Sequence, residues 1–531
     1  MKKRSFTFLF TFISLILFAQ HTNVLISNAS QPNEPSIMFN PKEPKYMVAG
    51  ANLNNYYYSS DSGKTWTAKS LTSTYGVWGD PTMIVDTTGA FYFLHLSNPS
   101  GGSWIDRIVC QKSTDNGKTY NNGSFMGLNG TKAQDKQWVD VDRKRNIMYS
   151  TWTQFDVYGS SAAGDSSHIL FSRSTDGGAT WSAAKRLDTK GGDCIDSDNT
   201  VEGAVPAAGP NGELYVVWAG HEKLYFTKSL NGGNSFSKPK VIATQPGGWD
   251  YAIPGIQRCN GLPVTVCDVS NGPNKGTIYV NWTDQRNGTG NTDVWLIKST
   301  NGGKTWSQPI KVNNDNTTRH QFLTWMSVDN VTGYLYFVFY DRRGTTGNAT
   351  DVYMAQSKDG GQTFTNFQIS QSSFTPNAFI FFGDYTNLYA HNNVVRPIWC
   401  RMEGSATSIY TALVKTSAIS TPAETVTRVP DINVETEEKA DNETVILSAY
   451  PNPFSSITYV SLAIHENTKV SVDIFDNDGK LVFSPIKNKE YTYGKYVETI
   501  DFSKFDLPAG TYYMVVTGGE EPEKRKIIYT K

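Results

Sequence analysis

The chain is poor in charge, in cysteine and in long apolar runs, and each shortage removes a class of protein. Charged residues make up only 18% of 531 positions and leave a formal net charge of −1. Such a balance offers no basic surface to nucleic acid or to an anionic membrane, so neither is expected as a partner. Seven histidines and five cysteines are scattered without the spacing of a zinc site. The odd cysteine count leaves at least one thiol unpaired within the chain. The one extended apolar run, residues 6–18, is thirteen residues long, short of the roughly 20 that span a bilayer. It follows Lys2, Lys3 and Arg4 and precedes Ala19 and Gln20, the pattern of a secretory signal peptide over residues 1–20. No cysteine follows the run to take a lipid anchor. An exported, soluble chain without a transmembrane segment is expected. Export permits oxidation, and Cys259 with Cys267, bracketing Gly261 and Pro263 in a short loop, is the expected disulfide.

What the chain has in abundance is aromatic residues, at 13%, with 45 glycines and many Ser, Thr and Asn, a composition suited to short strands and tight turns. One eight-residue phrase recurs six times: 59–66 (SSDSGKTW), 113–120 (STDNGKTY), 174–181 (STDGGATW), 229–236 (SLNGGNSF), 299–306 (STNGGKTW) and 357–364 (SKDGGQTF). Successive copies begin 54, 61, 55, 70 and 58 residues apart, which marks a repeat architecture. Asp or Asn at the third position can bond the backbone N–H groups of its own turn. Gly at the fifth supplies a positive φ, and the closing aromatic packs inward. Before the copies run an apolar strand, a Gly/Asp/Asn turn and an aromatic-rich strand, as in 81–85 then 90–96, 205–208 then 213–219, and 324–328 then 334–340. A seventh unit, 383–390, 394–400 and 408–414, has no phrase and no fourth strand. The apolar segment 22–27 (TNVLIS) precedes the first unit and is expected to complete the last one, stapling a ring of seven four-stranded blades and removing two sheet edges.

The phrase resembles the Asp-box of sialidases and other glycan-active β-propellers. That resemblance implies an all-β propeller over residues 21–416, with six blades, the sialidase number, as the alternative to seven. It also implies that the boxes lie between the third and fourth strands of each blade, on the face away from the active site. Asp61, Asp115, Asp176 and Asp359 are then structural. From 417 to 444 the sequence turns to Ser, Thr, Pro and Glu, with the acidic stretch Glu435 to Glu438, and reads as a solvated linker. Residues 445–531 carry Tyr450-Pro451-Asn452-Pro453-Phe454, Asp478-Gly479-Lys480, Leu507-Pro508-Ala509-Gly510-Thr511-Tyr512 and Lys524 to Lys526 in order, with strands expected at 458–464, 469–473, 496–501 and 510–517. This small β-sandwich resembles the C-terminal sorting domain of Bacteroidetes type IX secretion substrates. The resemblance implies the type IX machinery as a partner and a protein released or attached at the outer surface. A generic immunoglobulin-like binding module is the alternative.

In a propeller the innermost strand starts, and the second strand ends, at the face opposite the boxes, so chemistry is expected there. First-strand starts carry Glu34, Asp80, Asp135, Glu202, Gln321 and Asp384. Second-strand ends carry His95, Gln154, His221, Asp284 with Arg286, Asp341 with Arg342 and Arg343, and Arg401. Glycoside hydrolysis needs one acid to protonate the leaving oxygen and a second group as base or nucleophile, and anionic sugars need guanidinium forks. Asp80, Asp341, Asp384 and Glu202 are the candidate catalytic groups. Arg286, Arg342, Arg343, Arg401, Asp284, His221 and Tyr385 are candidates for holding substrate. The alternative use of the same residues is to cap strand ends and bridge blades by Asp–Arg pairs; a third is a bound cation such as Ca²⁺. No metal ligands are assigned. The Arg-Ile-Pro motif of sialidases is absent, and Arg396-Pro397-Ile398 is scrambled and late. The resulting expectation is a secreted or cell-surface sialidase-like glycoside hydrolase with a glycan or polysaccharide substrate. A non-catalytic carbohydrate-binding or adhesion propeller is the alternative. A polysaccharide lyase using His221 with a neighbouring tyrosine is another.

Overall fold

The computed structural model describes residues 21–419, 445–450, 454–464, 467–476, 479–492, 494–518 and 522–530, and among these it consists of strands joined by turns, with no α-helix. The expected signal peptide, linker residues 420–444, and the markers at 451–453 and 478 lie outside the described residues. The chain divides into two units, with the division between Glu424 and Thr425.

The first unit is a β-propeller built from seven four-stranded antiparallel sheets. Their first strands are Ser36–Phe39, Thr82–Val85, Ala133–Asp142, Glu202–Ala208, Val264–Cys267, Gln321–Val328 and Asn387–His391. Each first strand packs beside the next, and that of the seventh sheet packs against that of the first, so the sheets form a closed ring. Closure uses the N-terminal segment as the sequence suggests: Thr22–Ser27 pairs antiparallel with Ala406–Leu413 and is the fourth strand of the seventh sheet.

The six repeated phrases each occupy the turn between third and fourth strands. In the first, Ser59 donates to Asp61 at 2.8 Å, and Asp61 accepts from the Thr65 N–H at 3.0 Å and the Thr65 hydroxyl at 2.6 Å. These bonds outweigh burial and bring the Asp61 carboxyl down to about 2. Asn231 and Asn301 replace Asp in two copies and keep the pattern, their amide groups donating to Ser235 at 2.9 Å and Thr305 at 2.7 Å.

The phrase also fastens one sheet to the next. Its fourth-position carbonyl accepts a hydrogen bond from a cation on the preceding sheet: Lys112 to Gly177 at 3.4 Å, Lys228 to Gly302 at 2.6 Å, Lys298 to Gly360 at 2.7 Å, and Arg173 to Gly232. Arg396 of the seventh sheet donates to Ser62 of the first phrase at 3.1 Å and so joins the ends of the ring. The fifth-position glycine sits against the neighbouring sheet. At Gly303 the backbone has φ of +77°, and an added Cβ would lie 2.4 Å from the Phe226 ring.

One expectation fails. All five cysteines are free and buried. Cys259 lies in the loop before the first strand of the fifth sheet and Cys267 ends that strand. Cys267 is fixed in that strand and Cys259 in the loop ahead of it, so their nearness in sequence does not bring the two thiols together.

The second unit has a sheet of Val445–Tyr450, Ile457–Ile464 and Gly494–Asp501. Its other sheet is ordered Leu481–Tyr491, Thr468–Phe475, Gly510–Thr517, Glu523–Tyr529. Both contribute to one core, which includes Val460, Leu462, Val472, Met514 and Ile527.

Gly303→Ala is expected to cost about 3 kcal/mol, the sum of a left-handed Cβ penalty and overpacking against Phe226. At Gly302 (φ +67°) the nearest atom to an added Cβ is 3.8 Å away, and Gly302→Asn is expected to cost about 1 kcal/mol or less. Urea unfolding of the two variants measures the difference; equal costs would contradict the account of the fifth position.

Candidate functional site

The innermost strands do not run straight into the channel mouth. Register shifts interrupt the first strands of the third, fourth and sixth sheets, between Asp135 and Trp138, Glu202 and Val205, and Phe322 and Trp325. At the centre of each shift stands a left-handed residue: Lys136 (φ 52°), Gly203 (72°) and Leu323 (48°). Glu34 (50°) and Asp80 (51°) adopt the same conformation just ahead of the first two sheets. Non-glycine residues held there are strained and concentrate where function requires it. The shifts bring consecutive side chains into one layer across the mouth.

That layer holds six carboxyl groups around two cations. Lys136 Nζ lies 2.7 Å from Asp384 Oδ2 and 3.8 Å from Asp80 Oδ2. Arg258 embraces Asp384 through Nε at 3.0 Å and through Nη2, and its Nη1 donates to Asp196 at 2.9 Å. Glu34 accepts the Asp384 N–H at 3.1 Å and Asn52 Nδ2 at 2.5 Å, while Asn52 Oδ1 accepts the Asp80 N–H at 2.8 Å. Asn260 anchors the Asp384 carbonyl at 2.9 Å. Glu34 and Asp135 flank Asp80, and Glu202 faces Asp196.

Burial sets the charge of this layer. Glu34, Asp80, Asp135, Glu202 and Asp384 are each 8% exposed or less. Desolvation pushes the Asp80 carboxyl up to about 8 against the pull of Lys136, with Glu34 adding repulsion. It pushes Asp135 up to about 7 and raises Glu34 and, further, Glu202. No donor among the described residues reaches Asp80 Oδ2 or either Glu202 oxygen, which is the arrangement of a carboxyl that holds its own proton and gives it to a neighbouring carboxylate. Asp384 differs. Burial would raise it too, but Lys136 and Arg258 together hold it well below the usual carboxylate range. The layer therefore sets protonated acids beside a fixed carboxylate.

Beneath it the channel is plugged. Trp138 packs on Trp325 at 4.2 Å and on Tyr385 at 5.0 Å between ring centroids. Between plug and carboxylates is a cavity of about 30 Å³ bordered by Lys136, Asp384 and Tyr385, room for a water molecule. A larger cavity of about 520 Å³ lies beyond the plug, along the first strands toward the phrase-bearing face, and contains none of these carboxylates.

Of the residues singled out from sequence, Glu34, Asp80, Asp135, Glu202 and Asp384 meet in this layer, and Tyr385 lies beneath it in the plug. The others do not join it by any ion pair. Asp284 is clasped by Arg286 and Asp341 by Arg343, at 2.5 and 2.7 Å, with Arg286 over Trp295 at 4.5 Å and Arg343 over Tyr353 at 4.6 Å. These are strand-end bridges. Arg342 is buried, donating to the Pro254 carbonyl at 2.8 Å and Thr350 at 3.0 Å. Arg401 binds Glu403 at 3.1 Å and the Ser372 carbonyl at 2.8 Å. His221 meets the Gly191 carbonyl at 3.2 Å. Lys136 and Asp196 were missed, because strand alternation turns Lys136 away from its neighbour Asp135 and nothing local marks the bulge that brings it back. Among the described residues no group of three or more His, Cys, Asp or Glu could hold a metal ion.

Residues 448–530 match the family described as secretion system C-terminal sorting domain, so the chain carries the address of a protein delivered outside the cell or to its outer surface. No helix among the described residues is long and apolar enough to cross a membrane. No curated protein matches the chain. Similar solved structures include a Hadza microbial sialidase (15% identity, 70% of this chain and 74% of that one, TM-score 0.40). Others are an α-L-arabinanase from Penicillium chrysogenum complexed with arabinobiose (17%, 63% and 97%, 0.39) and the NanB sialidase from Streptococcus pneumoniae (9%, 70% and 84%, 0.43).

Asp80 and Asp135 ionise near 4 when unfolded but near 8 and 7 in the fold. Such groups bind more protons folded than unfolded, so their contribution is full below about pH 4 and is lost progressively between that unfolded value and the folded values near 7 and 8. The melting temperature is expected to fall between about pH 5 and 8, and to fall less in Asp80→Asn. A wild-type melting temperature that rises over this range would contradict the assignment.

Proposed function

We propose that this protein is an exported glycoside hydrolase that cleaves neutral glycans at the channel mouth, delivered by the type IX machinery through its C-terminal unit. The observation that carries the reading is the pairing of opposite protonation states in one layer: Asp80 keeps a proton at neutral pH while Asp384 is ionised, with Lys136 bonded to Asp384 at 2.7 Å and standing 3.8 Å from Asp80. Glycosidases separate acid from base or nucleophile in this way, by giving two carboxyls unlike environments. Asp80 protonates the leaving oxygen. Asp384 supplies the negative charge that an oxocarbenium-like sugar requires.

The lack of a guanidinium free to pair with a sugar carboxylate favours a neutral sugar over sialate or a uronic acid. Six carboxyls, those of Glu34, Asp80, Asp135, Asp196, Glu202 and Asp384, face two cations, and the guanidinium of Arg258 is already taken by Asp384 and Asp196. Arg286, Arg342, Arg343 and Arg401 are engaged elsewhere. Depth of burial favours a second reading, a glycan-binding propeller whose carboxylates only lock the ring.

A panel of neutral aryl glycosides, neutral oligosaccharides and sialosides separates these. Turnover of a neutral substrate is expected, with Asp80→Asn reducing kcat/KM at least about 100-fold and Asp61→Asn, on a repeated phrase, leaving it within about twofold. Folded wild-type protein that retains glycans without cleaving them would replace the first reading by the second. Absence of both cleavage and retention would overturn both.

A further inference from the structure

Of the thirteen tryptophans, Trp78 and Trp104 are the most exposed, at 37% and 43%, and they touch. Their rings meet edge to face, 6.3 Å apart at 88°, and Trp104 also meets Tyr158 at 5.5 Å and 83°. Large exposed aromatics in contact cost solvation and are rarely left bare without a partner. The row is held rigidly. The Trp78 N–H donates to the Leu96 carbonyl at 2.9 Å. The loop bearing Trp104 is tied by the buried Asp106, which accepts from Ser97 at 2.8 Å, the Ser103 N–H at 3.3 Å and Arg107 at 2.7 Å. The Tyr158 hydroxyl donates to Asp196 at 2.7 Å, and Asp196 is the second partner of Arg258, which holds Asp384.

The row therefore leads into the carboxylate layer from both ends. Trp78 is two residues from Asp80, so their Cα atoms are at most about 7 Å apart. We infer that Trp78, Trp104 and Tyr158 form a rail that binds the sugar units next to the one cleaved, making the substrate an oligosaccharide or polysaccharide instead of a single terminal sugar. The inference rests on the glycan reading above and deepens it. Trp78 and Trp104, 37% and 43% exposed, keep indole surface open beyond their mutual contact, and the axial C–H groups of a sugar ring cover such a surface while its hydroxyls stay in water. Two indoles and a phenol in a line suit a narrow chain of rings; a protein partner would need a patch several times larger.

The test uses the full chain and neutral oligosaccharides of two to six units, with the aryl glycoside of the same sugar as the single-ring probe. Trp104→Ala and Trp78→Ala are each expected to raise KM for the longer oligosaccharides about tenfold relative to KM for the single-ring probe. Trp104→Phe is expected to recover part of that ratio. If wild type cleaves nothing, the same ratio is read from dissociation constants by quenching of intrinsic fluorescence. A ratio within twofold of wild type in both alanine variants overturns the rail, whether or not Asp80→Asn abolishes turnover. A tenfold loss of oligosaccharide binding in a protein that cleaves nothing supports the rail and sinks the hydrolase.

Discussion

Closure of the ring is the constraint on which the rest of the first unit depends. Seven sheets can surround an axis only if the last meets the first, and this chain makes that junction with its own beginning: Thr22–Ser27 is paired to Ala406–Leu413, and Arg396 is bonded to Ser62. The junction protects two sheet edges that would otherwise pair with other chains. It also brings together groups that no local rule could place, since the Asp384 N–H donates to Glu34 across 350 residues of sequence. The cations that stitch each sheet to the next phrase, Lys112, Arg173, Lys228 and Lys298, hold the wedge angle that closure demands.

Convergence has a cost, because the first-strand starts are acidic. Carboxyls packed into so small a space cannot all ionise. The fold resolves this in two ways. Lys136 and Arg258 hold Asp384 ionised, and burial leaves Asp80, Asp135, Glu34 and Glu202 with raised proton affinity. The left-handed backbone at Glu34, Asp80 and Lys136 is the local strain that turns these side chains into one layer. A store of protons next to a fixed negative charge is thus a direct consequence of ring geometry acting on acidic strand starts.

Much of this was legible in the sequence. The six phrases and their spacing marked the repeat architecture, the strand pattern after the last phrase marked a seventh unit, with six as the alternative, and the apolar segment 22–27 marked the closing strand, because repeat periodicity and strand composition are local properties. Asp80, Asp384, Glu202 and Tyr385 were legible because the position of a first strand relative to its phrase is fixed. Asp284 and Asp341 looked equivalent by residue type, yet each has an arginine two positions on that claims it, the strand-end capping use. Lys136 was hidden by the bulge beside it. Asp196 was hidden in a loop whose reach only the ring defines, whereas Arg258 was one of several arginines that could supply a guanidinium, with nothing local to single it out. The Cys259–Cys267 pairing failed because sequence proximity was read as spatial proximity across an intervening strand.

The central claim is that the mouth holds protonated aspartates beside an ionised one, and carbon-13 NMR titration of aspartate-labelled protein tests it most directly. The account predicts two side-chain carboxyls that titrate near pH 7 and 8, one signal disappearing in Asp80→Asn and the other in Asp135→Asn. A wild-type spectrum in which every aspartate carboxyl has ionised by pH 5 would contradict it.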